Sequence, residues 1–114
     1  MEIDISGRHF RITAPLRQYA EKKVQKLEKF SLKIESVHII FEIQRFRHIA
    51  EICLLGKNLR VTAKNEDGGD MYAAFDNCLH NAQLQLSRQH DRVKDHKGRR
   101  YVMKESPKRT KDED

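Results

Sequence analysis

The sequence has no tryptophan, two prolines and only two cysteines among its 114 residues. Cys53 and Cys78 form no Cys-x-x-Cys pair, and no His-x-x-x-His accompanies them. The ligand spacing of a zinc site is therefore missing. We expect no bound metal and two reduced thiols that pack as small apolar side chains, which suits a reducing compartment.

Long apolar runs are missing as well. Residues 1–5 contain no basic segment followed by an apolar stretch, which argues against a signal peptide. The longest purely apolar stretches are only a few residues, too short to span a membrane. The sequence therefore predicts a cytoplasmic protein without a membrane partner.

The motifs of common catalytic sites are not found either. An enzyme needs a converging acid, base or nucleophile. Gly68-Gly69 lies before a helix but lacks the Lys-Ser/Thr of a phosphate-binding loop, and no Gly-x-Ser-x-Gly occurs. The six histidines are scattered without ligand spacing. We predict that the protein is not an enzyme and uses no cofactor and no small-molecule substrate.

Positive charge is what the sequence has in excess. Lysine and arginine number 23 against 17 aspartates and glutamates, which gives a net charge of +6 and a pI near 9.5. Such a surplus favours anionic partners, and nucleic acid first among them. Charged residues make up 35% and hydrophobic residues 38% of the chain, which predicts a small core under a heavily solvated surface.

Alternation of apolar and polar residues predicts four strands. The first contains Ile3 and Ile5 and is punctuated by Gly7. The second covers 37–43, the third 50–55 and the fourth 59–64, with a basic turn at 45–48, a tight turn at 56–58 and a loop at 65–69.

Helical periodicity predicts two helices. The first begins at the N-cap Thr13 and runs to Phe30, and the second begins at the N-cap Asp70 and runs to about Asp95. Their apolar stripes comprise Leu16, Ala20, Val24 and Leu27 in the first helix and Met71, Phe75, Cys78, Leu79, Ala82, Leu86 and Val93 in the second.

The element order β-α-β-β-β-α predicts an α+β fold. We expect a four-stranded mixed sheet with a parallel first pair of strands, and both helices packed on one face. This domain should span residues 1–97. Residues 98–114 lack periodicity and should form a disordered charged tail, since 99–114 carries six basic and four acidic residues.

Charge on the first helix is sorted by sign. Lys22, Lys26 and Lys29 fall on one side, whereas Glu21 and Glu28 fall on the opposite flank. Mixed signs would stabilise a helix by about 0.2–0.5 kcal/mol per pair, so the sorting favours a surface that contacts RNA phosphates over a merely solvated face. Weaker RNA-binding candidates are Arg45, Arg47, Arg88 and Arg92.

Two motifs resemble a known family. Arg-His-Ile-Ala-Glu (47–51) and Asp-Met-Tyr-Ala-Ala-Phe-Asp (70–76), in this order of elements, are similar to the ribosome hibernation-promoting factor and ribosome-associated inhibitor family, also called factor Y. Gly-Arg-His (7–9) and Lys-Leu-Glu-Lys-Phe (26–30) support the resemblance, which covers residues 1 to about 97.

The resemblance implies a double-stranded-RNA-binding-like fold. It also implies binding to the small ribosomal subunit and its rRNA, in the channel of mRNA and tRNA, so that translation is silenced by occupancy in stress or stationary phase. Lys23, Lys26 and Lys29 match basic positions of the family's first helix, and Lys22 is an additional lysine. The family's long form carries a second, dimerising domain that this chain lacks, so the protein should not pair ribosomes through such a domain. We expect a monomer off the ribosome.

The second helix departs from the family pattern. The family commonly carries a run similar to Lys-Leu-Glu-Arg-Gln-Leu-Lys-Lys, and this chain has Asn81, Leu84 and Ser87 at three of the cationic positions. Leu84 points away from the apolar stripe and should be exposed. Two alternatives to ribosome silencing follow. One is a general structured-RNA-binding module, and the other is a protein-interaction adaptor that uses the face around Asn77, Asn81 and Leu84.

Overall fold

The computed structural model describes residues 1–30 and 34–97, with side chains for 1–29 and 34–89. The elements are β1 (Glu2–Arg8), α1 (Ala14–Gln25), a 3₁₀ turn (Lys26–Phe30), β2 (Ile34–Gln44), β3 (Arg47–Gly56), β4 (Leu59–Asp67) and α2 (Met71–Lys97). The predicted order β-α-β-β-β-α is confirmed. The predicted tail, 98–114, lies outside the described residues. No helix within the described part of the chain is both long and apolar enough to cross a bilayer.

The four strands form one mixed sheet in sequence order. β1 runs parallel to β2, and β2, β3 and β4 follow as antiparallel neighbours. The register places Ile5, Ile39, Ile52 and Ala63 in one row across the sheet, and all four are buried. Both helices cover this face, so the predicted α+β fold is confirmed.

The helices bury the stripes that their periodicity predicts. Leu16, Ala20 and Val24 of α1 are buried, as is Leu27 of the 3₁₀ turn. The predicted stripe of α2 is buried from Met71 to Leu86, whereas the side chain of Val93 lies outside the described ones. At the centre of the core, the ring of Phe41 lies 6.2 Å from that of Phe10 and 5.8 Å from that of Phe75.

Gly7 does not end the first strand as predicted. β1 continues through it to Arg8, and Gly7 pairs with Phe41. A Cβ atom at this position would collide with the carbonyl oxygen of Phe10, because the chain folds back over the strand there. Glycine is therefore required for a close backbone approach and not for a strand end.

The first helix is shorter than predicted. It begins as expected, with the Thr13 hydroxyl accepting a hydrogen bond from the backbone N–H of Leu16 at 3.3 Å. The α-helical hydrogen bonding ends at Gln25, and residues 26–30 continue as a 3₁₀ turn. The apolar stripe hides this change because Leu27 stays buried in either geometry.

The last two strands are longer than predicted. Residues 65–67 were expected in a loop, but they extend β4 because Asn65 pairs with Ala50 and Asp67 pairs with His48. Arg47 likewise belongs to β3, which reduces the predicted basic turn to Arg45 and Phe46. Pairing with the neighbouring strand provides hydrogen-bond partners for the backbone groups of these polar residues. A local pattern of apolar residues cannot predict such a pairing.

The predicted N-cap of the second helix is confirmed. The Asp70 carboxylate accepts a hydrogen bond from the backbone N–H of Tyr72 at 3.2 Å. Asp67 closes the connection from β4, since its Oδ2 accepts from the backbone N–H groups of Gly69 and Asp70, both at 2.9 Å. Two aspartates thus set the point at which α2 starts.

We predict that Phe41→Ala lowers the free energy of unfolding by about 3–5 kcal/mol, because it empties the centre of the core. Phe46→Ala is the matched control, since Phe46 is 86% exposed and Phe41 is 0% exposed. It should change stability by less than about 0.5 kcal/mol. Urea unfolding followed by circular dichroism measures both values, and similar losses for the two variants would contradict the packing described.

The two thiols should differ sharply in reactivity. Cys78 is buried and its Sγ lies 3.2 Å from the carbonyl oxygen of Ala63, and burial raises the pKa of this thiol to about 12. Cys53 is half-buried on the sheet face away from the helices. At pH 8 a thiol reagent should label Cys53 rapidly and Cys78 only after unfolding. Cys53→Ser should remove the rapid reaction, and rapid labelling of this variant would contradict the assignment.

Candidate nucleic-acid interface

Four lysines gather at the C-terminal end of α1, and we call Lys22, Lys23, Lys26 and Lys29 the α1 lysine cluster. Lys22, Lys26 and Lys29 are exposed, and Lys23 is half-buried. Lys26 and Lys29 both lie in the 3₁₀ turn. Residues three apart eclipse one another in this geometry, so the two ammonium groups share one side more closely than in an α-helix.

The α1 lysine cluster has no acidic partner among the described residues. The ion pairs within 4.0 Å in that part of the chain join Arg8 to Glu42, His38 to Asp4 and Arg47 to Glu66. The described carboxylates of the protein therefore do not neutralise the cluster through ion pairs. It remains available for an anion that approaches the helical face.

An interhelical cleft lies beside the cluster. Its volume is about 290 Å³, and it is lined by Lys23, Lys26, Asp76, Leu79, His80 and Gln83. Sequence reasoning missed His80 and Gln83 as cleft residues. Their spacing from Asp76 places all three on one side of α2, but only the packing of α1 against α2 shows that this side faces lysines.

Tyr19 fixes the position of α1 against α2. Its hydroxyl donates to the Asp76 carboxylate, with O–O distances of 2.7 and 2.9 Å, and this hydrogen bond raises the pKa of Tyr19 to about 12. The tyrosine therefore stays a neutral donor at physiological pH. The Lys23 Nζ lies 5.3 Å from the centre of the Tyr19 ring, a cation–π distance that holds this ammonium group beside the cleft.

Three amide side chains of α2 are turned toward the sheet edge, and one of them, Asn81, stands at a position where the family commonly has a cation. The Asn81 amide donates to Asn65 Oδ1 of β4. Farther along, Gln85 donates to the carbonyl oxygen of Thr62 at 2.9 Å, and Gln89 donates to that of Arg60 at 3.2 Å. Asn81 is thus occupied in anchoring α2, which accounts physically for an amide where the family commonly has a cation.

The described side chains of α2, residues 71–89, include one arginine and no lysine. Leu84 is 43% exposed, which confirms its predicted exposure. Arg88 is exposed, whereas the side chain of Arg92 lies outside the described ones. Among the described side chains, the cationic surface on the helical layer therefore rests mainly on α1 and the 3₁₀ turn.

Arg45 and Arg47 lie at the far end of the molecule from the lysines. Because β1 and β2 are parallel, α1 runs back between them, and its C-terminal end lies near the start of β2. β2 has 11 residues, a length of about 35 Å at ~3.3 Å per residue, and the two arginines flank its other end. The α1 lysine cluster and the pair Arg45 and Arg47 therefore form two separate surfaces.

Comparison with known proteins places this arrangement in a family. The sequence profile described as Sigma 54 modulation protein / S30EA ribosomal protein matches residues 3–94. The chain belongs to this family. The resemblance drawn from the two motifs is thereby confirmed, and the matched residues include β1 from Ile3 onward, the other three strands and nearly all of α2.

Curated relatives in the family carry names that refer to the ribosome. The ribosome hibernation promoting factor of Salmonella typhimurium is 32% identical over 96 residues, which cover 84% of this chain and 100% of the relative. The factor of the same name from Pseudomonas putida is 33% identical over 88 residues, which cover 77% of this chain and 85% of the relative.

Solved structures of similar proteins share the fold. A ribosomal subunit interface protein from Coxiella burnetii aligns with a TM-score of 0.73 at 28% identity, over 80% of this chain and 99% of that one. The N-terminal domain of Protein Y from Thermus thermophilus aligns with a TM-score of 0.69 at 28% identity, over 78% of this chain and 99% of that one.

We predict that Tyr19→Phe lowers the free energy of unfolding by about 1 kcal/mol, because it removes the hydrogen bond to Asp76 and leaves the ring in place. Tyr72→Phe is the control, since the Tyr72 ring packs edge-on against Tyr19 at 5.0 Å and its hydroxyl has no hydrogen bond to a described residue. Urea unfolding measures both variants. An equal loss in the control would assign the effect to packing and contradict the role of the hydrogen bond.

Proposed function

We propose that the protein binds the small ribosomal subunit through its rRNA and silences translation by occupying the channel of mRNA and tRNA in stress or stationary phase. The observation that carries this proposal is the α1 lysine cluster, four cations without an acidic partner in the described chain beside an interhelical cleft. Family membership and the names of the relatives support it.

Binding of this kind needs shape and charge and no chemistry. A rigid sheet holds α1 and α2 in fixed relation, and the lysines meet phosphate oxygens along an RNA surface. Each phosphate that a lysine neutralises releases a condensed counterion. The logarithm of the binding constant should therefore fall linearly with the logarithm of the salt concentration. We propose a cytoplasmic, non-enzymatic factor that is monomeric off the ribosome and needs no cofactor.

The protein-interaction adaptor is supported by one observation, the exposed Leu84 on α2. Its proposed face has become smaller, because Asn81 is turned to Asn65 and only Asn77 and Leu84 remain as exposed members. An isolated exposed leucine is common on protein surfaces. Ribosome binding through the lysines is therefore the stronger proposal.

We expect Lys26→Glu combined with Lys29→Glu to abolish co-sedimentation with small subunits at low salt, because repulsion replaces two phosphate contacts. Arg60→Glu combined with Lys64→Glu is the matched control. It changes the net charge equally at exposed residues on the sheet face away from the helices. The control should retain most of the binding.

Sucrose-gradient sedimentation over a series of salt concentrations measures the effect, and circular dichroism checks that both variants are folded. Equal losses in the two variants would show that only net charge matters and would contradict a defined surface. A wild-type protein that stays at the top of the gradient at low salt would contradict ribosome binding itself.

Competition with free RNA separates ribosome binding from general RNA binding. If the function is as proposed, an excess of duplex RNA should displace little protein from small subunits, since a duplex offers only part of the RNA surface. Displacement at equal concentrations of duplex and subunits would instead favour the general structured-RNA-binding module. Retention of a protein partner after nuclease treatment, with no ribosome bound, would favour the adaptor.

A further inference from the structure

The β2–β3 hairpin ends in an exposed aromatic ring between two cations. We call Arg45, Phe46 and Arg47 the hairpin tip. Phe46 is 86% exposed, by far the largest exposure of any bulky apolar side chain in the described part of the chain. Both arginines beside it are exposed as well. The ring thus stands in water with a guanidinium group on either side in the sequence.

Turn geometry does not account for these residue types. Arg45 has φ +56°, a left-handed conformation that favours glycine or asparagine. The β3–β4 hairpin meets the same need in the ordinary way, with Asn58 at φ +58°. A left-handed arginine followed by a solvent-exposed phenylalanine is unfavourable both for the turn and for hydration. Such a choice at a tip points to a partner.

The residues next to the turn are held by strand pairing and side-chain contacts, and they leave part of the Arg47 guanidinium group exposed to an anion. Strand pairing continues to Gln44 and Arg47, so the turn stands on a hairpin without fraying. Gln44 donates to Glu42 at 2.8 Å, and the Arg47 Nε lies 3.5 Å from Glu66 Oε1. The Arg47 side chain is still 66% exposed, so the other N–H groups of its guanidinium can donate to a ligand.

A cleft at the tip lies between the cations. Its volume is about 240 Å³, and Gln44, Arg45 and Arg47 line it. Arg45 has no acidic partner within the described residues. Two arginines and an amide around a small cleft offer donors to phosphate and ribose oxygens. Phe46 adds the apolar face that a base requires for stacking.

We propose that the hairpin tip binds an unpaired nucleotide of RNA, with its base stacked on Phe46 and its flanking phosphates held by Arg45 and Arg47. The proposal rests on the proposed function, which supplies RNA as the partner. The nucleotide has to be unpaired because an aromatic side chain needs an open base face. The three residues of the tip carry no amide, and only the neighbouring Gln44 offers one to a base edge, so recognition should depend little on sequence.

The experiment uses the fact that the chain contains no tryptophan. Phe46→Trp places a single indole at the tip, and Leu84→Trp places one on the exposed side of α2 as the control. Small ribosomal subunits and single-stranded oligoadenylate are titrated into each variant. Stacking on a base should quench the fluorescence of Phe46→Trp strongly and that of Leu84→Trp little.

Substitutions then measure the energetic contribution. Phe46→Ala and Phe46→Leu should weaken binding to small subunits about 5- to 100-fold, the range expected for one stacked base, whereas Phe46→Tyr should retain it. Full binding by Phe46→Ala would overturn the stacking proposal. A loss in Phe46→Ala that Phe46→Leu restores would also overturn it, because it would show an apolar protein contact.

The outcomes distinguish this inference from the function on which it rests. If the wild type binds subunits, and neither subunits nor oligoadenylate quench Phe46→Trp, the tip proposal fails and ribosome binding stands. If the wild type does not bind subunits, the proposed function fails, and the oligoadenylate titration still decides whether the tip stacks on a base. A blue shift without quenching would indicate burial against protein and would overturn the inference.

Discussion

The contact between Phe41 and Phe75 is the one on which the arrangement of both helices depends. Phe41 belongs to the central strand β2 and Phe75 to the first turns of α2, and both are fully buried. This contact seats α2 on the sheet. Tyr19 of α1 then contacts α2 through its ring, which packs against Tyr72 and Phe75, and through its hydroxyl, which donates to Asp76. The interhelical cleft and the position of Lys23 follow from these contacts.

The elements with a regular pattern could be predicted from the sequence. Alternation identified the strands, and the stripes of α1 and α2 identified the helices, because burial of one face imposes a period that is visible locally. The polar end of β4 was missed because Asn65 and Asp67 gain their strand conformation from pairing with β3. The 3₁₀ turn was missed because Leu27 is buried in either helical geometry.

The candidate site was predictable only in part, for a related reason. The sorting of charges by sign within the first helix pointed to Lys22, Lys26 and Lys29, because residues three or four positions apart in a helix lie close together in space. His80 and Gln83 join the cleft through contacts between helices, which no local pattern encodes. Phe46 was counted within a basic turn, and its 86% exposure became visible only when the register of the hairpin placed it at the tip.

The glutamines of α2 have a consequence for the molecule in a crowded cell. Gln85 and Gln89 occupy carbonyl oxygens on the outer side of β4, the groups through which an edge strand recruits another chain. At the opposite edge, β1 carries the exposed charges of Glu2 and Asp4, and charged side chains on an edge strand disfavour the addition of another strand. Both edges of the sheet therefore carry features that oppose its extension by a second copy of the chain.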